Sequence, residues 1–341
     1  MTAKPLLEVN GLHVRFPLRS GLMQRVTGAV HAVSGVDFAI PRGEAYGLVG
    51  ESGCGKTTVA RAVLQLVRPS SGIIRFDGEN LTAMSPAQLA PFRRRVQAIF
   101  QDPFSSLNPR MTAGDILAEP IRVHRLVPPR EIAERVGHLL DLCGLPRRFV
   151  ELYPHEMSGG QRQRVGIARA LAMEPDLIVC DEAVSALDVS VQAQIINLLA
   201  DLRRELGLTY LFIGHDLSVV RHLCDQVAVM YLGRVMERAP SEPLFATPAH
   251  PYTRALLDAV PDPDPEHEAG REVEPLQGEV PSPSAPPPGC VFHPRCPVAI
   301  ARCKQDEPAL APVGPERKAA CWLAEPKPRR DTSIKKQEVI Q

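Results

Sequence analysis

Residues 50–57 read GESGCGKT and fit the spacing G-x-x-x-x-G-K-[ST] of a phosphate-binding loop. Gly50, Gly53 and Gly55 allow the backbone to curl so that its N–H groups face an anion. An apolar run, AYGLVG, enters the loop and TTVARAVLQLV leaves it, which predicts a strand before it and a helix after it. That helix N-terminus adds a dipole favourable to phosphate. Glu51, Ser52, Cys54 and Thr58 complete the loop, Lys56 is expected on the β- and γ-phosphates, and the Thr57 hydroxyl is expected on Mg²⁺. Such a site also needs a carboxylate for the metal and a group that positions water. Residues 177–182, LIVCDE, offer both: four apolar residues predict a buried strand that carries Asp181 to the sheet's C-terminal edge, with Glu182 next to it as a general base.

A second anion-binding element follows from YPHEMSGGQRQRVGIARAL, residues 153–171. Ser158, Gly159, Gly160 and Gln161 begin a helical run and expose another helix N-terminus. One loop already holds one end of the nucleotide, so a second such terminus is most useful when it belongs to another subunit. MSGGQ resembles the signature motif of ATP-binding-cassette (ABC) proteins, with Met157 where leucine is usual, a change that conserves volume and polarity. The resemblance extends in order along the chain. Gln101 in IFQDP resembles the Q-loop glutamine, which implies contact with Mg²⁺ and water. SALD, residues 185–188, resembles the D-loop and brings in Asp188; His215 in FIGHD resembles the switch histidine that meets the γ-phosphate. Phe16 resembles the aromatic residue that stacks on adenine, with His31 as competitor because residues 17–30 read as an insertion. The family mechanism implied is closure of two cassettes head to tail, ATP lying between Gly53, Lys56 and Thr57 of one and Ser158, Gly160 and Gln161 of the other.

The elements that must position these residues suit an α/β fold. Strand-like runs (YGLVG, DLIVC, TYLFIG, QVAVMYLG) alternate with helical stretches, the pattern of a largely parallel sheet. With the resemblance, the expected architecture is a P-loop NTPase of the ABC ATPase type over residues 1–260. It includes a helical subdomain at about 102–160. Residues 261–288 are too rich in proline and charge to bury a core and read as a linker; 289–323 form a small cysteine-containing C-terminal domain, and 324–341 a disordered tail. A net charge of zero removes any whole-chain electrostatic case for nucleic acid or anionic lipid. No run approaches the ~20 apolar residues of a membrane span, and the N-terminus lacks a signal-peptide core, so the chain reads as soluble and cytoplasmic.

GESGCGKTT, IFQDPFSSLNPRMTAGDILAEP, DEAVSALDVS, HDLSVVRHLCDQVAVMYLGRVME and HPYTRALLDAVPDPDP are similar to the ATP-binding subunits of bacterial oligopeptide and dipeptide importers. Cys54 together with QDPFSSLNPR resembles their F-type subunit. The resemblance implies two permease subunits, a second ABC ATPase subunit forming a homo- or heterodimer, and an extracytoplasmic peptide-binding protein. It implies a peripheral location on the cytoplasmic face of the cell membrane and no nucleic-acid partner. Import of nickel or another solute, and a soluble non-transport ABC ATPase, stay open as alternatives.

Of eight cysteines, Cys54, Cys143, Cys180 and Cys224 are scattered and read as buried thiols. Cys290, Cys296, Cys303 and Cys321 fall within 32 residues at the spacing C-x5-C-x6-C-x17-C. Packing of small hydrophobes is one reading. Four thiolates also suit tetrahedral Zn²⁺ or an iron–sulfur cluster, and resemblance to the importer family's C-terminal extension favours [4Fe–4S]. His293 is a spare ligand candidate. Because the segment lies after a linker and away from every ATP motif, a structural or assembly role is expected, its removal weakening assembly or stability more than the chemistry at Glu182.

Overall fold

The computed structural model describes residues 4–21, 25–100, 106–185, 187–260 and 276–327. Gln101 and Ala186 lie outside the described residues, as do 261–275 of the expected linker and the tail from 328.

The chain opens with two long antiparallel strands, β1 (Leu7–Ser20) and β2 (Arg25–Ile40), paired from Leu7↔Ile40 to Ser20↔Arg25. Residues 17–20 and 25–30, expected as part of an insertion, thus continue the hairpin, where Pro17 pairs with Ala29 and Phe16 with Val30. Val26, Thr27 and Val30 are β-branched and support strand geometry even where the ribbon is exposed. After β3 (Ala45–Val49) and α1 (Lys56–Val63), β4 (Ser71–Phe76) and β5 (Glu79–Asn80) complete a four-stranded sheet in the order β2-β1-β4-β5.

The central sheet is built from β3, β6 (Val96–Ile99), β7 (Leu177–Asp181), β8 (Thr209–Ile213), β9 (Gln226–Tyr231), β10 (Arg234–Pro240), β11 (Ala311–Gly314) and β12 (Arg317–Ala319). Its order is β11-β12-β10-β9-β3-β8-β7-β6, with β9 to β6 mutually parallel and the last three strands in sequence antiparallel. The parallel strands read as continuous apolar runs because both faces are covered. Tyr210 and Phe212 enter one core with Ile178, Cys180, Val227 and Val229; their neighbours Leu211 and Ile213 enter the opposite core with Leu177, Val179, Ala228 and Met230. This is the period-two alternation of a strand.

The α-helices that follow among the described residues include α2 (Ala90–Arg95), α3 (Ala113–His124), α4 (Ile132–Leu142), α5 (Gly159–Leu171), α6 (Val189–Leu206), α7 (Leu217–Leu223), α8 (Ser241–Ala246) and α9 (Pro251–Asp258). α3, α4 and α5 pack on one another beside the sheet. α7 approaches β3 so closely that a Cβ on Gly47 would lie 2.6 Å from Val220 Cγ1, which accounts for glycine inside a buried strand. Among the described residues no helix is long and apolar enough to cross a membrane.

Cys290, Val291, Phe292 and Cys303 belong to the same core as α5 to α7, and β12 pairs with β10 through Glu237↔Ala319 and Arg238↔Lys318. The cysteine-bearing segment therefore packs onto the nucleotide-fold sheet and extends its edge.

Candidate nucleotide site

The strand order sets the site. β3, β8 and β7 are adjacent and parallel, so the loop after β3, His215 after β8 and Asp181 at the end of β7 share one sheet edge. The loop 50–55 curls tightly. Gly50 has φ 149°, and a Cβ there would lie 2.2 Å from the Met230 carbonyl oxygen; at Gly55, φ 107°, it would lie 2.2 Å from that of Ala32. Only glycine fits either position. Lys56 is buried, and its ammonium donates to the carbonyls of Gly50 (2.8 Å) and Glu51 (2.9 Å), bracing the loop from inside. Ser52 and Gly53 are exposed, Thr58 is half-buried, and the Cys54 thiol is buried, with its pKa raised by burial.

Thr57 donates its hydroxyl to Asp181 Oδ1 at 3.2 Å. Burial raises the Asp181 pKa, and the Thr57 hydrogen bond opposes that rise. A part-buried carboxylate next to a hydroxyl and close to Lys56 is a donor set suited to a hard divalent cation beside phosphates. Glu182 has φ 51°, and its N–H donates to the Ile213 carbonyl (2.9 Å), which ties β7 to β8 at the turn. Its carboxylate lies 3.7 Å from His215 Nδ1. The structure thus brings Thr57 to Asp181 and Glu182 to His215.

Ser158 caps α5. Its hydroxyl accepts from the Gln161 N–H (3.3 Å), while Gln161 Oε1 accepts from the Ser158 N–H (2.9 Å), a reciprocal capping box. Gly160 is required by α6, since a Cβ would lie 2.5 Å from Val191 Cγ1; Gly159 faces Leu187 in the same way at 3.3 Å. Asp188 is exposed at the start of α6. Phe16 is 41% exposed, and His31, paired with Arg15, lies one pair along the ribbon. The His31 N–H donates to the Pro283 carbonyl at 3.0 Å.

The C-terminal segment, distant from the ATP motifs along the chain, meets them in the fold. Arg295 makes a bidentate ion pair with Glu51 of the phosphate loop, Nη1 to Oε2 at 2.7 Å and Nη2 to Oε1 at 3.1 Å. The Glu51 N–H donates to the Tyr252 hydroxyl at 3.0 Å. Sequence reasoning missed Arg295, Tyr252 and Tyr231. The available signal was an arginine inside HPRC, a segment that also buries Phe292: a buried cation calls for a buried anion.

Cys290 and Cys303 are buried, Cys296 and Cys321 half-buried, and all are free thiols. The four line one small cavity together with Phe292, His293 and Trp322. Burial raises the thiols of Cys290 and Cys321 and pushes that of Cys296 up to about 11. Among the described residues, no three His, Cys, Asp or Glu side chains converge closely enough to hold a metal ion. The His293 ring is engaged by the Cys290 carbonyl, Nδ1 to O at 2.9 Å. Cys54, Cys143, Cys180 and Cys224 are buried, as expected.

A parallel sheet with a phosphate loop, a strand-end Asp-Glu pair and a histidine at one edge defines a P-loop nucleotide-binding cassette. The family described as ABC transporter matches residues 33–185, and that described as oligopeptide/dipeptide transporter, C-terminal region, matches 236–303. The oligopeptide transport ATP-binding protein AppF of Bacillus subtilis is 51% identical over 319 residues, covering 93% of this chain and 97% of AppF. Among solved structures, the ATP-binding cassette MJ0796, in a dimeric post-hydrolysis state with ADP and Pi, aligns with a TM-score of 0.61 at 27% identity, covering 69% of this chain and 98% of its own. CbiO1 of Clostridium perfringens, part of the ABC transporter complex cbiONQ, also gives 0.61 at 30% identity over 71% of this chain and 90% of its own. The chain belongs to the ABC ATPases, in the family of oligopeptide and dipeptide import ATP-binding proteins.

Proposed function

We propose that this protein is the ATP-hydrolysing subunit of a di- or oligopeptide importer, closing on a second ATPase subunit when ATP is bound. The observation that carries the reading is the Thr57–Asp181 contact at the sheet edge shared with Glu182 and His215. Lys56 and the loop N–H groups bind the phosphates; Thr57, Asp181 and Gln101 are the residues that would hold Mg²⁺, which neutralises phosphate charge when bound. Glu182 takes the proton of the attacking water, and His215 steadies its carboxylate and meets the γ-phosphate. Ser158, Gly159, Gly160 and Gln161, with Asp188, act on the nucleotide of the opposing subunit, and Phe16 stacks on its own adenine. Hydrolysis removes the charge that joins the two faces, so they separate.

Two permease subunits and an extracytoplasmic peptide-binding protein complete the proposed complex, which places this chain on the cytoplasmic face of the membrane. A groove between α3 and α4, with Ala118, Leu126, Ile132 and Val136 among its walls, suits a permease's cytoplasmic helix. For the cysteines, the proposed ligand is a [4Fe–4S] cluster. The support for this reading is that the four thiols line one small cavity; Zn²⁺ is the alternative ligand. Anaerobic purification with iron, sulfide and zinc analysis tests it; a metal-free protein with this segment ordered refutes it.

The test of the main reading is Glu182→Gln in the complex purified with its permeases. ATP is expected to bind and accumulate unhydrolysed, with turnover at least about a hundredfold lower, the scale of general-base catalysis. Near-normal turnover removes Glu182 as base. Turnover stimulated by nucleic acid, without permease association, overturns the transport reading.

A further inference from the structure

A glutamate is an unexpected neighbour for a triphosphate. Glu51 follows the first glycine of the phosphate loop, where an uncompensated carboxylate repels the anion the loop is built to take. The structure compensates it from far along the chain. Arg295 occupies both carboxylate oxygens, at 2.7 and 3.1 Å, and its side chain is only 7% exposed. Such a forked pair fixes orientation as well as charge.

Glu51 is held on two further sides. Its N–H is taken by Tyr252 at 3.0 Å, and its carbonyl receives Lys56 Nζ at 2.9 Å. Arg295 is itself anchored. It ends the helical turn His293–Arg295, and the Phe292 ring before that turn packs on Tyr231 (5.4 Å), Tyr252 (5.2 Å) and His250 (5.8 Å). The guanidinium carbon lies 5.9 Å from the Tyr231 ring centroid. An unbroken chain of contacts therefore runs from the cysteine-bearing segment to the lysine that grips phosphate.

We propose that Arg295 is a positioning residue for nucleotide binding: it neutralises Glu51 and holds the phosphate loop in its curled form before ATP arrives. The C-terminal segment thereby completes the ATP site of its own subunit. Preorganisation of this kind acts on affinity more than on the chemical step, because the same contact is present before and during hydrolysis. The inference rests on the reading of residues 50–57 as the nucleotide loop.

Full-length wild type, Arg295→Met, Glu51→Gln and the double variant are titrated with MgATP by calorimetry, with urea unfolding measured in parallel. Arg295→Met leaves Glu51 unpaired and is expected to raise Kd on the order of tenfold, the effect of one uncompensated unit charge roughly 12 Å from another at an effective dielectric of about 20. Glu51→Gln removes the repulsion itself, so the double variant is expected to regain most of the lost affinity. A purely structural arginine behaves differently: stability falls, Kd stays at the wild-type value, and the proposal is overturned. It is equally overturned if the double variant binds no better than Arg295→Met. Should Arg295→Met not fold, Arg295→Lys keeps the charge and loses only the fork, so it is expected to weaken binding by less than the roughly tenfold of full charge removal, whereas a loss of roughly tenfold or more refutes neutralisation. Wild type that does not bind MgATP overturns the nucleotide reading beneath the proposal.

Discussion

Arg317→Met measures how firmly the C-terminal hairpin is joined to the nucleotide fold. Glu237 on β10 is fully buried, and Arg317 on β12, 8% exposed, lies 3.5 Å from it. The carboxylate also accepts the N–H groups of Ala249 (2.9 Å) and His250 (2.8 Å), while Arg317 donates to the Thr247 hydroxyl (2.8 Å) and carbonyl. Methionine preserves most of the apolar stem but removes the charge, leaving a buried carboxylate with two backbone donors. Removing one partner of a buried pair costs about 3–5 kcal/mol, and the two remaining donors put the expectation near the lower end. The chain carries one tryptophan, Trp322, whose ring lies 3.5 Å beneath the Arg302 guanidinium, so its fluorescence reports this segment. Far-UV circular dichroism reports the whole fold. In urea, wild type is expected to unfold with both signals together, whereas in Arg317→Met fluorescence moves to lower urea ahead of dichroism. Arg130→Met, which breaks the exposed Arg130–Glu131 pair, is the control and should leave both midpoints in place. Coincident transitions at the wild-type midpoint in Arg317→Met would refute the reasoning, because the buried charge would then have found another partner at no cost.

Gly50→Ala forces a Cβ to 2.2 Å from the Met230 carbonyl at a φ of 149°. Strain of about 1–3 kcal/mol is expected to open the loop, so that calorimetry finds MgATP binding lost while dichroism stays native. Ser158→Ala removes the cap of α5 and is expected to cost about 1 kcal/mol in urea unfolding. If Ser158 also meets a second subunit's nucleotide, ATPase activity falls further than that destabilisation explains; an unchanged rate per folded molecule counts against the role.

What was legible in the sequence is what local chemistry dictates. GESGCGKT prescribes a curl only glycine can follow, LIVCD prescribes a buried strand, and S-G-G-Q prescribes a capped helix; each takes that form, and Thr57 meets Asp181 across 124 residues. The long hairpin was harder to read. Glycine and arginine between residues 17 and 30 resemble loop composition, yet β-branched residues and pairing with β1 carry the ribbon to Ser20 and Arg25. Propensity there is outweighed by the neighbouring strand.

The C-terminal segment was misread for a different reason. Position after a proline-rich stretch says nothing about where the chain returns, and two short strands, APVG and RKA, carry too little apolar pattern to announce that they extend the central sheet. Charge bookkeeping would have done better. Glu51 in a phosphate loop, Glu237 in a strand and the arginines of HPRC and PERKA are costly unless paired, and the fold pairs them, Arg295 with Glu51 and Arg317 with Glu237. Both pairs join the cysteine-bearing segment to the cassette, one at the phosphate loop and one at the sheet edge. A segment held only at the edge could be lost with little effect on ATP affinity. On the proposed role of Arg295, one held at Glu51 as well cannot, and whatever fixes Cys290 and Cys296 around Arg295 then bears on how the loop receives ATP.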